Sequence, residues 1–165
     1  MQLGKYLPAL ETFESALEEK PDSDILWYYR GLSLYRINML EEAACAFESA
    51  IRLNPKMQEA LEYRALCLFE TEQYKAALES LEAVLERNPE NLSVLHKKAI
   101  CFLQLRKYKS GAKTLSRVLE LDPDNKEAKF ELGIASFESG EYNKALSLFE
   151  EVSKDSDKGF FCILP

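Results

Sequence analysis

One interval governs this chain: residues of matching size recur every 34 positions. Small residues stand at Gly31, Ala65, Ala99 and Gly133, and again at Ala43, Ala77, Gly111 and Ala145. A large apolar residue follows at Phe47, Leu81, Leu115 and Phe149, and a proline closes each unit at Pro21, Pro55, Pro89 and Pro123. A period of this length, with two small positions, one bulky position and a terminal helix breaker, specifies an array of helix pairs. Each pair is too thin to bury its own apolar face, so the core must run continuously from one unit to the next.

Within the stretch from Trp27 to Pro55, the residues Trp27, Gly31, Ala43, Phe47 and Pro55 resemble the tetratricopeptide repeat (TPR) pattern. Arg30 stands where that pattern has leucine, and Leu34 where it has tyrosine. The resemblance extends from Gly4 to about Phe149. It implies an all-α fold, a right-handed TPR superhelix or α-solenoid of antiparallel helix pairs, with about four repeats plus an N-terminal half repeat.

Taken in order, residues 1–154 read as the array. Residues 1–23 form a half repeat, a second helix without its first, with Pro8 in the first turn where a missing N–H is tolerated. Full repeats follow at 24–57, 58–91, 92–125 and 126–154. The periodicity predicts helices at about 24–37, 40–53, 58–71, 74–87, 92–105, 108–121, 126–139 and 142–154. Turn chemistry separates the pairs: Pro-Asp-Ser-Asp at 21–24, Asn-Pro at 54–55, Asn-Pro-Glu-Asn at 88–91 and Asp-Pro-Asp-Asn at 122–125. Such short connections place successive helices antiparallel. The small residue at Gly31 and its repeats lets paired helices approach, with Trp27, Leu61 and Leu95 filling the space beside it. A fully buried Trp27 predicts a cost of about 3–5 kcal/mol on truncation to Ala. The last repeat decays, with Asp157 in place of the proline, and residues 155–165 read as an irregular tail. Its end, Cys162-Ile163-Leu164-Pro165, has the outline of a prenylation box, but the final Pro is not among the usual terminal residues and no polybasic stretch precedes it.

Composition bounds what such an array can do. The chain has 165 residues, 47% apolar, with a formal charge of −7. That balance argues against a nucleic-acid partner, because holding a phosphate backbone needs clustered Lys and Arg. No run approaches the roughly 18 apolar residues of a membrane span and no secretory leader is evident, which predicts no membrane association and an intracellular, cytoplasmic setting. The four cysteines lack Cys-x-x-Cys spacing. Cys67 and Cys101 lie one repeat apart where Ser33 and Ala135 stand elsewhere, so they read as small packing residues.

Chemistry-bearing motifs are absent, and the reading is of a non-enzyme that requires no cofactor and no metal. His96 is the only histidine, and no acid on its helix is spaced to share a metal with it. The six glycines are scattered rather than gathered into a phosphate loop. Paired acids such as Glu41-Glu42 read as solvated helix faces.

What remains is a surface. The TPR resemblance implies that the first helix of each pair lines a concave face that holds a partner segment. The positions that it assigns there include Tyr28, Leu32 and Tyr35; Glu62, Leu66 and Phe69; His96 and Ile100; and Phe130, Ile134 and Phe137. Leu32, Leu66, Ile100 and Ile134 form an aliphatic row, with Glu59, Glu62, Glu70, Glu127 and Glu138 at its rim. The row reads either as a groove or as a stripe buried between neighbouring first helices, which period alone does not separate. The clamp with which related modules hold acidic chaperone tails finds one match here, Lys97, and an acidic tail would meet an acidic rim. The expected partner is therefore a protein or peptide segment with apolar anchors and basic flanks, bound by a scaffold or adaptor. The alternative is the regulatory array of a larger enzyme or multi-subunit assembly. Monomer and dimer both remain open.

Overall fold

The computed structural model describes residues 3–160, with side chains from 5 to 154. Nine helices make up the described residues, with no strand among them: α1 Leu3–Glu19, α2 Asp24–Arg36, α3 Leu40–Leu53, α4 Gln58–Glu70, α5 Tyr74–Arg87, α6 Leu92–Gln104, α7 Tyr108–Leu121, α8 Lys126–Glu138 and α9 Tyr142–Phe160. They fall into two compact units, Met1–Pro89 and Glu90–Pro165. In the first, α1 packs on α2, α2 on α3, α3 on α4 and α4 on α5; in the second, α6 packs on α7, α7 on α8 and α8 on α9.

The small-to-large alternation works as a size match across each helix pair. A Cβ added to Gly31 would lie 2.8 Å from a ring carbon of Phe47, and one added to Gly133 would lie 2.5 Å from a ring carbon of Phe149. Both distances are too short for carbon atoms in contact, so the phenyl ring occupies the volume that the glycine leaves empty. Where the small residue is Ala65 or Ala99, the residue sixteen positions later is the smaller Leu81 or Leu115. All four are buried, at 0–2% exposure. Interiors packed to crystal density tolerate such a pair only when the two volumes sum correctly.

Turns are as periodic as the core. Asn38, Glu72, Arg106 and Gly140, one repeat apart, all have positive φ, between 55° and 83°. Each sits just past a first helix, and the next residue's N–H closes the helix: Met39 donates to Leu34 O, Gln73 to Leu68 O, Lys107 to Phe102 O and Glu141 to Ser136 O, at 2.8–2.9 Å. This is the Schellman arrangement, which favours glycine at the left-handed residue. First helices also share a start. Ser23, Asn91 and Asn125 accept side-chain caps from the N–H of Leu26, Val94 and Ala128, whereas Met57, one repeat after Ser23, has no side-chain oxygen to offer.

Two expectations need correction. Trp27 is half-buried rather than enclosed: its Nε1 donates to Pro21 O at 2.8 Å and the Arg30 guanidinium lies 5.6 Å from its ring. It packs over the preceding turn, where one flank remains open to water. The last helix does not stop at 154 but runs to Phe160, because Asp157 replaces the breaker and no proline lies between 142 and 160. Residues 155–160 are thus helical rather than irregular, and the motif at 162–165 lies outside the described residues.

The αL positions offer a direct stability test. Glu72 is exposed, and Glu72→Gly should raise unfolding free energy by about 1 kcal/mol in urea denaturation. Gly140→Ala, where a Cβ would meet nothing within 4 Å, should lower it by a similar amount through backbone strain alone.

Candidate functional site

First helices carry the residues assigned to the concave face, and the two units present them differently. In the first unit, α2 supplies Tyr28, Leu32 and Tyr35 and α4 supplies Glu62, Leu66 and Phe69, all half-buried. Tyr63, to which sequence reasoning gave no role in the site, joins the two helices. Its ring centroid is 6.4 Å from Tyr28, 5.3 Å from Tyr35 in an edge-on contact, and 5.5 Å from the buried Phe47 in a stack. Such offset and edge contacts favour the aromatic quadrupoles and hold α2 against α4. Burial pushes the Tyr28 phenol above its ordinary pKa, with Tyr63, Glu59 and Tyr29 adding to the shift. Phe69 meets Tyr74 edge-on at 6.1 Å. Glu62 accepts a 2.8 Å hydrogen bond from Gln58, while Glu59 and Glu70 face water.

In the second unit, α6 supplies His96 and Ile100, both half-buried. His96 Nε2 lies 2.7 Å from Glu131 Oε2 on α8, so the histidine is engaged by a carboxylate rather than left for a ligand. The pairing escaped a search for acids on the histidine's own helix. Its partner lies one repeat plus one residue onward, the same offset that separates Tyr28 from Tyr63, and that offset is the legible signal for contacts between successive first helices. Burial raises the Glu131 pKa, opposed by His96 and assisted by Glu127.

Further along α8 the apolar residues are uncovered. Phe130 is 49% exposed, Ile134 37% and Phe137 54%. Phe130 leans on Phe149 at 5.6 Å, and Phe137 on Tyr142 at 5.5 Å, itself 63% exposed. Glu127 and Glu138 stand exposed at the two ends of this face. The aliphatic row is therefore half-buried at Leu32, Leu66 and Ile100 and somewhat more exposed at Ile134.

No group of three or more potential metal ligands occurs among the described residues. Burial pushes the Cys67 thiol up to about 12 and Cys101 to about 11, which leaves both protonated and unreactive at neutral pH. No helix among them is long and apolar enough to cross a membrane.

An array of antiparallel helix pairs with apolar first-helix faces defines a repeat scaffold, and comparison with known proteins places it. The tetratricopeptide repeat family profile matches residues 1–49 and 96–158, and the chain belongs to that family. The profile for anaphase-promoting complex, cyclosome, subunit 3 matches residues 37–118. No curated protein sequence matches the chain. Among solved structures, the chain is similar to MamA from Desulfovibrio magneticus RS-1, with TM-score 0.78 and 20% identity over 94% of this chain and 88% of that one. A second MamA structure gives TM-score 0.82 at 15% identity, covering 98% and 88%. YrrB, described as a TPR protein with an unusual peptide-binding site, gives TM-score 0.81 at 22% identity, covering 92% and 78%. These likenesses establish the all-α repeat fold.

The Glu131 environment predicts a pH dependence. Its pKa is raised in the folded state, so its contribution to stability is complete below the unfolded carboxylate pKa and is lost as pH rises through the raised value. Relative to Glu131→Gln, the wild type should therefore lose stability as pH rises from below the ordinary carboxylate range through the raised Glu131 value, as read by denaturant midpoints at each pH.

Proposed function

We propose that this chain is a non-enzymatic interaction scaffold that holds a partner's segment against its first-helix faces. The observation that carries the reading is the exposure of Phe130, Ile134 and Phe137 on one face of α8, spaced i, i+4 and i+7. Scattered exposed apolar residues are ordinary, but a contiguous row is a mark of a surface that is covered in use. In the first unit the first helices offer Tyr28, Leu32, Tyr35, Leu66 and Phe69, and in the second α6 adds Ile100 near the His96–Glu131 pair.

The partner's chemistry follows by complementarity. Apolar anchors would fill the spaces beside Phe130, Ile134 and Phe137, and Lys or Arg flanks would meet Glu127 and Glu138 here or Glu59, Glu62 and Glu70 in the first unit. That a fold neighbour, YrrB, is described as having a peptide-binding site supports the coarser reading, that the partner is a peptide segment. The exposed aromatics, not the half-buried Leu66 or Ile100, are the residues to change, because their removal leaves the core intact.

Affinity capture with the wild type and with Phe130→Glu, Phe137→Glu, both verified as helical by circular dichroism, tests the proposal. Segments of the captured proteins, measured as synthetic peptides, should carry apolar anchors with basic flanks and bind the variant at least about tenfold more weakly, a loss of about 1.4 kcal/mol. Equal binding by the variant would remove α8 from the site.

A further inference from the structure

The chain's net charge of −7 conceals a reversal. Residues 91–119 carry seven of the 21 Lys and Arg and none of the 28 Asp and Glu, while the remaining residues carry 14 basic against 28 acidic. This acid-free stretch covers α6 and nearly all of α7. The repeat does not require it: the positions of Arg106, Lys107 and Lys113 hold Glu72, Gln73 and Glu79 one repeat earlier and Gly140, Glu141 and Ser147 one repeat later.

Arg106, Lys107, Lys109 and Lys113 are exposed, and none makes an ion pair among the described residues. Other cations find acids nearby: Arg30 pairs with Glu14, Arg64 with Glu48, and Arg117 with both Glu90 and Glu120. Arg106, Lys107 and Lys109 line a cleft of about 530 Å³, with Tyr108 and Ser110 beside them and a single carboxylate, Glu138, across from them. Lys113 continues the charge one helical turn beyond Lys109.

We infer that this basic belt at the start of α7 is a second docking surface, one that takes an acidic segment of a protein partner. It lies on a second helix and its preceding turn, meets the α8 face proposed above at Glu138, and is opposite to that face in polarity. The stretch from Arg106 to Lys113 spans about 10–12 Å at helical rise, room for a few carboxylates at helical or extended spacing. A nucleic acid fits less well. Its backbone carries a charge about every 1.7 Å and would continue past the belt onto Glu90, Glu120, Asp122 and Asp124. Tyr108 is also the only aromatic residue within α7 on which a base could stack.

The test uses the whole chain and three probes: a fluorescein-labelled peptide with six glutamates, a twenty-nucleotide oligouridine, and phosphatidylserine vesicles, all at about 0.15 M salt. The glutamate peptide should bind most tightly. Lys107→Gln, Lys109→Gln, Lys113→Gln should weaken it at least tenfold with helicity unchanged, and Phe130→Glu, Phe137→Glu should leave it unaffected. Peptide binding that survives the triple Gln variant overturns the assignment. Tighter binding of oligouridine or of vesicles, lost in that variant, overturns it in favour of a nucleic acid or an anionic membrane.

Discussion

Close approach of paired helices is the constraint on which the rest of this structure depends. At Gly31 and Gly133 the phenyl rings of Phe47 and Phe149 fill space that any side chain would claim. The backbones can then pack near enough for Ala43 and Ala145, at 0% and 2% exposure, to lie in the seam. Once the pair is set at that distance, the remaining apolar residues must face outward toward the next helix, because no room is left between the two. The continuous core of each unit follows from that exclusion of volume.

Regular termini convert close pairs into an array. A left-handed residue at Asn38, Glu72, Arg106 and Gly140 reverses the chain in the same way each time, and its hydrogen bonds leave few helix-end groups unsatisfied. Gly140 adopts this geometry without strain and Asn38 with little, since asparagine tolerates the left-handed region. The cost accepted at Glu72 and Arg106 shows that packing between helices, rather than the turn, supplies the dominant energy there.

Side chains that do not enter the seam are free to diversify, and the chain uses that freedom in two opposite ways. The faces of α2, α4 and α8 combine aromatic and aliphatic residues with glutamates, whereas residues 91–119, across α6 and most of α7, gather cations with no acid among them. An overall acidic charge is a poor guide to either surface, since the field near a site is set by charges within about a Debye length rather than by their sum.

By itself the sequence determined the repeat, the helices and their family, because size at Gly31, Ala43, Phe47 and Pro55 is a local property that recurs at a fixed interval. The starts of α2, α6 and α8 and the ends of α3, α5 and α7 were equally legible, since they rest on nearby serine, asparagine and proline. Tertiary structure decided what depends on neighbours one repeat away: that Tyr63 ties Tyr28 to Tyr35, that Glu131 occupies His96, and that Trp27 stays half-open. It also separated the aliphatic row into half-buried Leu32, Leu66 and Ile100 and open Ile134. All four residues have the same spacing and nearly the same chemistry, so spacing alone does not reveal their different exposure.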